Sequence, residues 1–137
     1  MKTKFITTAA IAISLVISSC SEFEMEEARK KERQPKYYTA DGDHRWKNIA
    51  DEHIPEITFI KADKSRIHVR VPLQPEQEPR HYIQIIALME GEKIIEEKRF
   101  RFSFSRAEAE FDLPDPDADY WILVRCNRHD MWKQPVK

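Results

Sequence analysis

Glycine is almost missing from this chain, with two among 137 residues. Turns must therefore lean on proline and aspartate. Positive charge is not in excess either: 23 Lys and Arg stand against 24 Asp and Glu. No basic stripe with interleaved aromatics runs through the sequence, so nothing supports nucleic-acid binding. Long hydrophobic runs are limited to the N-terminus. There Lys2 and Lys4 precede an uncharged, mostly apolar stretch over residues 5–17. That stretch is short for a membrane span and is followed by small residues, as in a secretory signal. Without residues 1–19 the chain keeps 118 residues, 21 of them basic and 24 acidic, a formal charge of −3. That length suits one domain with a real core rather than two.

Cysteine is scarce too. The signal-like stretch ends Ile17-Ser18-Ser19-Cys20, which resembles the lipobox of bacterial lipoproteins. The resemblance implies acylation of the Cys20 thiol after cleavage at residue 19, a membrane anchor, and a place in the bacterial cell envelope, outside the cytoplasm. With Cys20 lipidated, Cys126 has no partner for a disulfide within the chain. A lone thiol in an exported protein calls for a reactive, intermolecular or ligand role. Residues 20–43 read as the anchor and a tether. Within it Glu26–Lys30 and Glu27–Lys31 have the i, i+4 spacing of a short exposed helix, and Pro35 would end it. Residues 44–137 form the expected folded domain.

In that domain short runs alternate: Ile57 and Phe59; Ile67, Val69 and Val71; Phe100, Phe102 and Phe104; Ala107, Ala109 and Phe111. Residues 82–89 and 120–124 are nearly continuous apolar runs, the pattern of central strands. Pro72, Pro75, Glu90-Gly91-Glu92 and Pro114-Asp115-Pro116 break these runs apart. Short strands at this spacing predict an all-β, immunoglobulin-like antiparallel β-sandwich.

Three stretches carry the chemistry: Asp51-Glu52-His53-Ile54-Pro55, Arg80-His81-Tyr82-Ile83, and Cys126-Asn127-Arg128-His129-Asp130-Met131-Trp132. A thiolate and imidazoles together suit a first-row transition metal. In this order the stretches resemble the iron domain of the superoxide reductases, the neelaredoxin and desulfoferrodoxin family. That family carries E-K-H-V-P, then H-P-x-x-x-x-H-Y-I, then C-N-x-H-G-L-W. The last motif is the most specific, and Asp130 and Met131 stand where the family has Gly and Leu.

The resemblance implies a single non-haem iron, with Cys126 as axial thiolate and His53, His81 and His129 as three of four equatorial imidazoles. It implies one-electron reduction of superoxide to hydrogen peroxide, with an external electron donor to restore the metal. No four-cysteine rubredoxin-like centre is present, so the likeness is to the one-iron form. Two positions depart from the pattern. The fourth imidazole falls on Pro75 or, with one residue inserted, on Gln74; His44 and His68 are the spare imidazoles, read as a loop and a strand-surface residue. Beside His53, Glu52 replaces the Lys that attracts superoxide, while Asp51 aligns with the Glu that can cap the ferric iron. Asp51 and Glu52 are thus the candidates to act on substrate, and Arg80 and Arg128 could restore positive potential. The alternative is a non-catalytic metal-binding or sensing lipoprotein, possibly with zinc, since three imidazoles and one thiolate also make a tetrahedral zinc set.

Overall fold

Residues 66–70 fold as their alternation demands. In the computed structural model, which describes residues 24–27, 29 and 37–137, they form a strand whose apolar members Ile67 and Val69 are buried while Arg66, His68 and Arg70 are half-buried. In chain order the strands are β1 (Tyr37–Tyr38), β2 (Glu56–Phe59), β3 (Arg66–Arg70), β4 (Ile83–Glu90), β5 (Lys93–Arg99), β6 (Glu108–Asp112), β7 (Tyr120–Cys126) and β8 (Met131–Pro135). One sheet has the order β1-β8-β7-β4-β5 and the other β2-β3-β6. Every pairing is antiparallel except β1 with β8. The fold is the expected immunoglobulin-like β-sandwich.

The core lies between the sheets. Ile67 and Val69 of β3 and Phe111 of β6 share one cluster with Ile86 and Leu88 of β4 and Ile122 and Val124 of β7. Fully burying a side chain such as Phe111 contributes roughly 1.5–3 kcal/mol. The central strands β4 and β7 are covered on both faces, because Ala87, Met89 and Leu123 form a second cluster with Tyr37, Trp121 and Met131. This explains their continuous apolar runs. Gly91, with φ of +57°, makes the turn from β4 to β5.

The expected strand through Phe100, Phe102 and Phe104 is corrected. Residues 100–106 are an irregular segment, with Phe104 69 % exposed. The ladder instead uses β5, whose sequence Lys-Ile-Ile-Glu-Glu-Lys-Arg lacks alternation and is almost wholly exposed. A charged edge strand of this kind resists pairing with another chain. Among the described residues, Ile60, Ile94, Ile95 and Met25 are the other large apolar side chains left exposed.

The chain divides into a unit Met1–Pro35 and a unit Lys36–Lys137. In the first, residues 24–27 and 29 are helical and exposed. Lys30, Lys31, Pro35, the signal-like stretch and Cys20 lie outside the described residues. The second unit takes in Tyr37 and Tyr38, which pair with Met131 and Trp132, although the sequence places them in the tether.

Candidate metal centre

Four side chains from three separate segments meet at one end of the sandwich. The ligating atoms of His53, His81, Cys126 and His129 all lie within 4.8 Å of one another. His53, His81 and Cys126 are buried, at 0, 5 and 3 % exposure, and His129 is half-buried.

His53 closes a single helical turn, α1 (Ala50–His53), that follows a 3-10 turn over Lys47–Ile49. Ala50 and His53, three residues apart, are the buried members of α1. Pro55 ends the turn by forcing Ile54 into extended backbone, with ψ of 124°. His53 Nδ1 lies 2.9 Å from the Ile49 carbonyl oxygen and donates to it. That fixes the tautomer and leaves the Nε2 lone pair facing the cluster.

His81 sits just ahead of β4, paired in an isolated antiparallel bridge with Glu76. Its Nδ1 lies 3.7 Å from Glu76 Oε2, so its Nε2 also faces the cluster, 3.3 Å from His53 Nε2. Cys126 ends β7, and residues 126–130 turn the chain into β8, with Arg125 opposite Met131. The Cys126 sulfur is 3.9 Å from His129 Nδ1, and the Arg128 N–H donates to it at 3.4 Å. His129 Nδ1 is 3.1 Å from His53 Nε2.

Asn127 joins two of these segments. Its side-chain oxygen accepts from the Tyr82 N–H at 2.9 Å and its Nδ2 donates to the Arg80 carbonyl at 3.0 Å. It thereby holds both neighbours of His81 against the turn that carries Cys126. Trp132 is fully buried and stacks on His53 with ring centroids 5.1 Å apart, while Trp46 packs edge-on to His129 at 4.7 Å.

These positions keep the imidazoles neutral. Burial, with His129 and His81 adding to it, pushes His53 down to about 4. Burial also lowers His81 and His129, helped by the charges of His129 and Arg128 respectively. Burial pushes the Cys126 thiol up, opposed by backbone N–H groups of Arg128, His129 and Asn127. Neutral imidazoles and a thiol whose conjugate base is met by N–H donors make a donor set, not a salt bridge. Three imidazole nitrogens converging at 3.1 and 3.3 Å repel unless a proton or a cation lies between them. Metal–N and metal–S bonds of about 2.0–2.3 Å need ligand atoms some 3.3–4.5 Å apart, so the cluster fits a first-row metal ion with little adjustment.

The remaining predicted residues stand outside this cluster. Asp51 and Glu52 are exposed on α1. The Glu52 charge nonetheless reaches His53 and His129, where it favours protonation. Neither spare imidazole supplies the fourth imidazole. His44 is held locally, with Nε2 3.1 Å from the Thr39 carbonyl and Nδ1 accepting from the Trp46 N–H at 3.2 Å. It also presses on Gly42, where an added Cβ would come within 2.8 Å of its ring. His68 pairs across the strands with Glu108 at 3.5 Å. Gln74 is exposed, and its amide oxygen accepts from the Arg106 guanidinium.

Sequence reasoning missed Glu76, Asn127 as a tie, and the stack of Trp132 on His53. Asn127 and Trp132 were visible as motif residues, but their partners are set by tertiary packing.

An immunoglobulin-like sandwich with three imidazoles and one thiolate gathered at one end is the class defined by fold and site. The desulfoferrodoxin family profile matches residues 45–135, and the chain belongs to that family. Among solved structures it is similar to a superoxide reductase of the one-iron type from Giardia intestinalis, at 17 % identity over 64 % of this chain and 98 % of that one, with a TM-score of 0.52. It is likewise similar to the superoxide reductase (neelaredoxin) of Ignicoccus hospitalis, at 23 % identity over 74 % of this chain and 94 % of that one, with a TM-score of 0.53. No curated protein matches the chain.

Proposed function

We propose that this protein holds one non-haem iron through His53, His81, Cys126 and His129 and reduces superoxide to hydrogen peroxide, drawing its electrons from an external donor. The observation that carries the reading is the convergence of these four donor atoms within 4.8 Å, in a chain of the desulfoferrodoxin family. A bound ferrous ion would supply one electron to superoxide, and two protons from solvent complete hydrogen peroxide.

The chain's own residues do the rest. Ile49 and Glu76 orient the His53 and His81 rings, and outer partners of this kind raise ligand basicity. The N–H of Arg128 stabilises the Cys126 thiolate. The side-chain charge of Arg128 bears on His81, Cys126 and His129, favouring an approaching anion. Glu52 opposes that approach. Asp51, exposed on the same turn, aligns with the family's iron-capping Glu.

Zinc is a second reading, favoured by the count of ligands: three imidazoles and one thiolate complete a tetrahedral shell with no position left open. A zinc-holding chain would be a binding or sensing protein rather than an enzyme. We read Cys20 as a lipid anchor that fixes the domain to a membrane of the cell envelope.

Metal analysis of anaerobically purified protein separates these readings. Stoichiometric iron, a visible sulfur-to-iron charge-transfer band on oxidation, and rapid superoxide consumption are expected. Stoichiometric zinc with no reactivity toward superoxide would overturn the enzymatic reading.

A further inference from the structure

We infer that Asp130 is a positioning residue that clamps Trp46 and, through it, sets the His129 ring in the metal cluster. Asp130 has φ of +61°, a left-handed conformation that glycine takes freely and a side chain resists. Something must offset that strain, and the carboxylate supplies it. One oxygen, Oδ2, accepts from the Arg45 guanidinium at 2.6 Å and from the Trp46 indole N–H at 2.9 Å. The Arg45 guanidinium also lies over the Trp46 ring, 4.6 Å from its centroid. Asp130 therefore ties two residues more than eighty positions away to the turn that follows His129.

The tie reaches the site through ring contact. Trp46 packs edge-on to His129 with centroids 4.7 Å apart, at an interplanar angle of 60°. His129 is also crossed by His53 and His81, at 4.9 and 4.5 Å. His53 donates to the Ile49 carbonyl at 2.9 Å and His81 faces the Glu76 carboxylate at 3.7 Å, but the His129 ring makes no such contact to a carbonyl or carboxylate among the described residues. The Trp46 edge takes the place of that orienting partner. The same backbone reinforces it, because the Cys126 N–H donates to the Asp130 carbonyl at 3.1 Å. Strain at Asp130 thus stands one hydrogen bond from the thiolate ligand.

The inference rests on the metal-site reading, and the test separates the two. Cobalt(II) titration of the full chain, parent against Asp130→Gly, Asp130→Asn and Trp46→Phe, reads affinity and the thiolate-to-cobalt absorption together. Asp130→Gly relieves the backbone but frees Trp46, and cobalt should bind on the order of 10-fold more weakly with a shifted absorption. Trp46→Phe keeps a ring and loses the N–H, and should give a loss of the same size. The double variant should lose no more than either alone, since both break one contact. Asp130→Asn keeps an acceptor for the indole and should recover most of the affinity. Parent-like affinity and spectrum in Asp130→Gly would overturn the inference. If the parent itself takes up no cobalt, the metal reading fails instead. The clamp is then read on the metal-free protein by NMR of the His129 ring, which Asp130→Gly should mobilise; an unchanged ring would end the inference as well.

Discussion

His53 carries two demands at once: it must stay neutral to bind a metal, and it must be fully buried to sit beneath Trp132. Its proton affinity is pushed down to about 4, from an ordinary value of 6.5. Below pH 6.5 the unfolded chain therefore takes a proton that the folded chain refuses. The stability due to the neutral ring is present above 6.5 and is lost as pH falls toward 4. The loss is on the order of 3 kcal/mol for this one group. His81 and His129, lowered in the same direction, add to it. Urea midpoints of metal-free protein should fall steadily from pH 7 to pH 4, and a flat profile would contradict the buried neutral ring. Cys126, pushed upward by burial, must release a proton to a metal, so metal affinity should rise with pH. Cys126→Ser should abolish the sulfur-to-iron band of the oxidised protein while circular dichroism stays that of a β-sandwich. The four side chains of the candidate cluster were legible because the three stretches that hold them resemble the family's motifs. Glu76, Arg45 and Trp46 were not, since nothing local in the sequence pairs them with His81 or Asp130.

At the scale of elements, legibility followed burial. Strands β3 and β6 alternate because one face is buried and the other is not, and both were readable. The pair β4 and β7, buried on both faces, were readable as apolar runs. β5 was hidden because an exposed edge strand has no burial pattern to print on its sequence. The phenylalanines at 102 and 104 printed a false one: Phe102 packs edge-on to Tyr82 and Phe104, outside the sheets. β8 was masked by the motif it carries, since Trp132 reads as a site residue before it reads as a strand residue. The site depends on how these elements are tied. Asn127→Ala removes both bonds that hold residues 80–82 to the β7–β8 turn and leaves the Tyr82 N–H without its side-chain acceptor. A loss of about 2 kcal/mol in stability is expected, with metal affinity reduced about 10-fold or more through displacement of His81. Denaturant unfolding and chelator competition check the two parts separately.

The whole molecule is mildly acidic, and the proposed substrate is an anion. Without residues 1–19 the formal charge is −3, so long-range attraction must come from local arrangement rather than net charge. Arg128 is exposed and its charge bears on three of the four candidate ligands, while exposed Glu52 favours protons at His53 and His129. Of the other cations near the cluster, Arg45 is neutralised by Asp130 at 2.6 Å, and the Arg80 guanidinium lies over the Phe102 ring, 5.4 Å from its centroid. On the proposed reaction, the approach of superoxide is set by Arg128 working against Glu52. Glu52→Lys turns that opposition into attraction, and should raise the second-order rate constant for superoxide several-fold at low ionic strength. Arg128→Glu should lower it by a similar factor. Both effects belong to exposed charges, so both should shrink as salt brings the screening length from about 30 Å at 0.01 M toward 3 Å at 1 M. Pulse radiolysis of the iron-loaded variants across that salt range measures the rate directly. A gain in Glu52→Lys that persists undiminished at 1 M salt would mean a changed metal centre rather than changed steering. Equal rates in parent and both variants at low salt would mean that neither charge lies on the path of the anion.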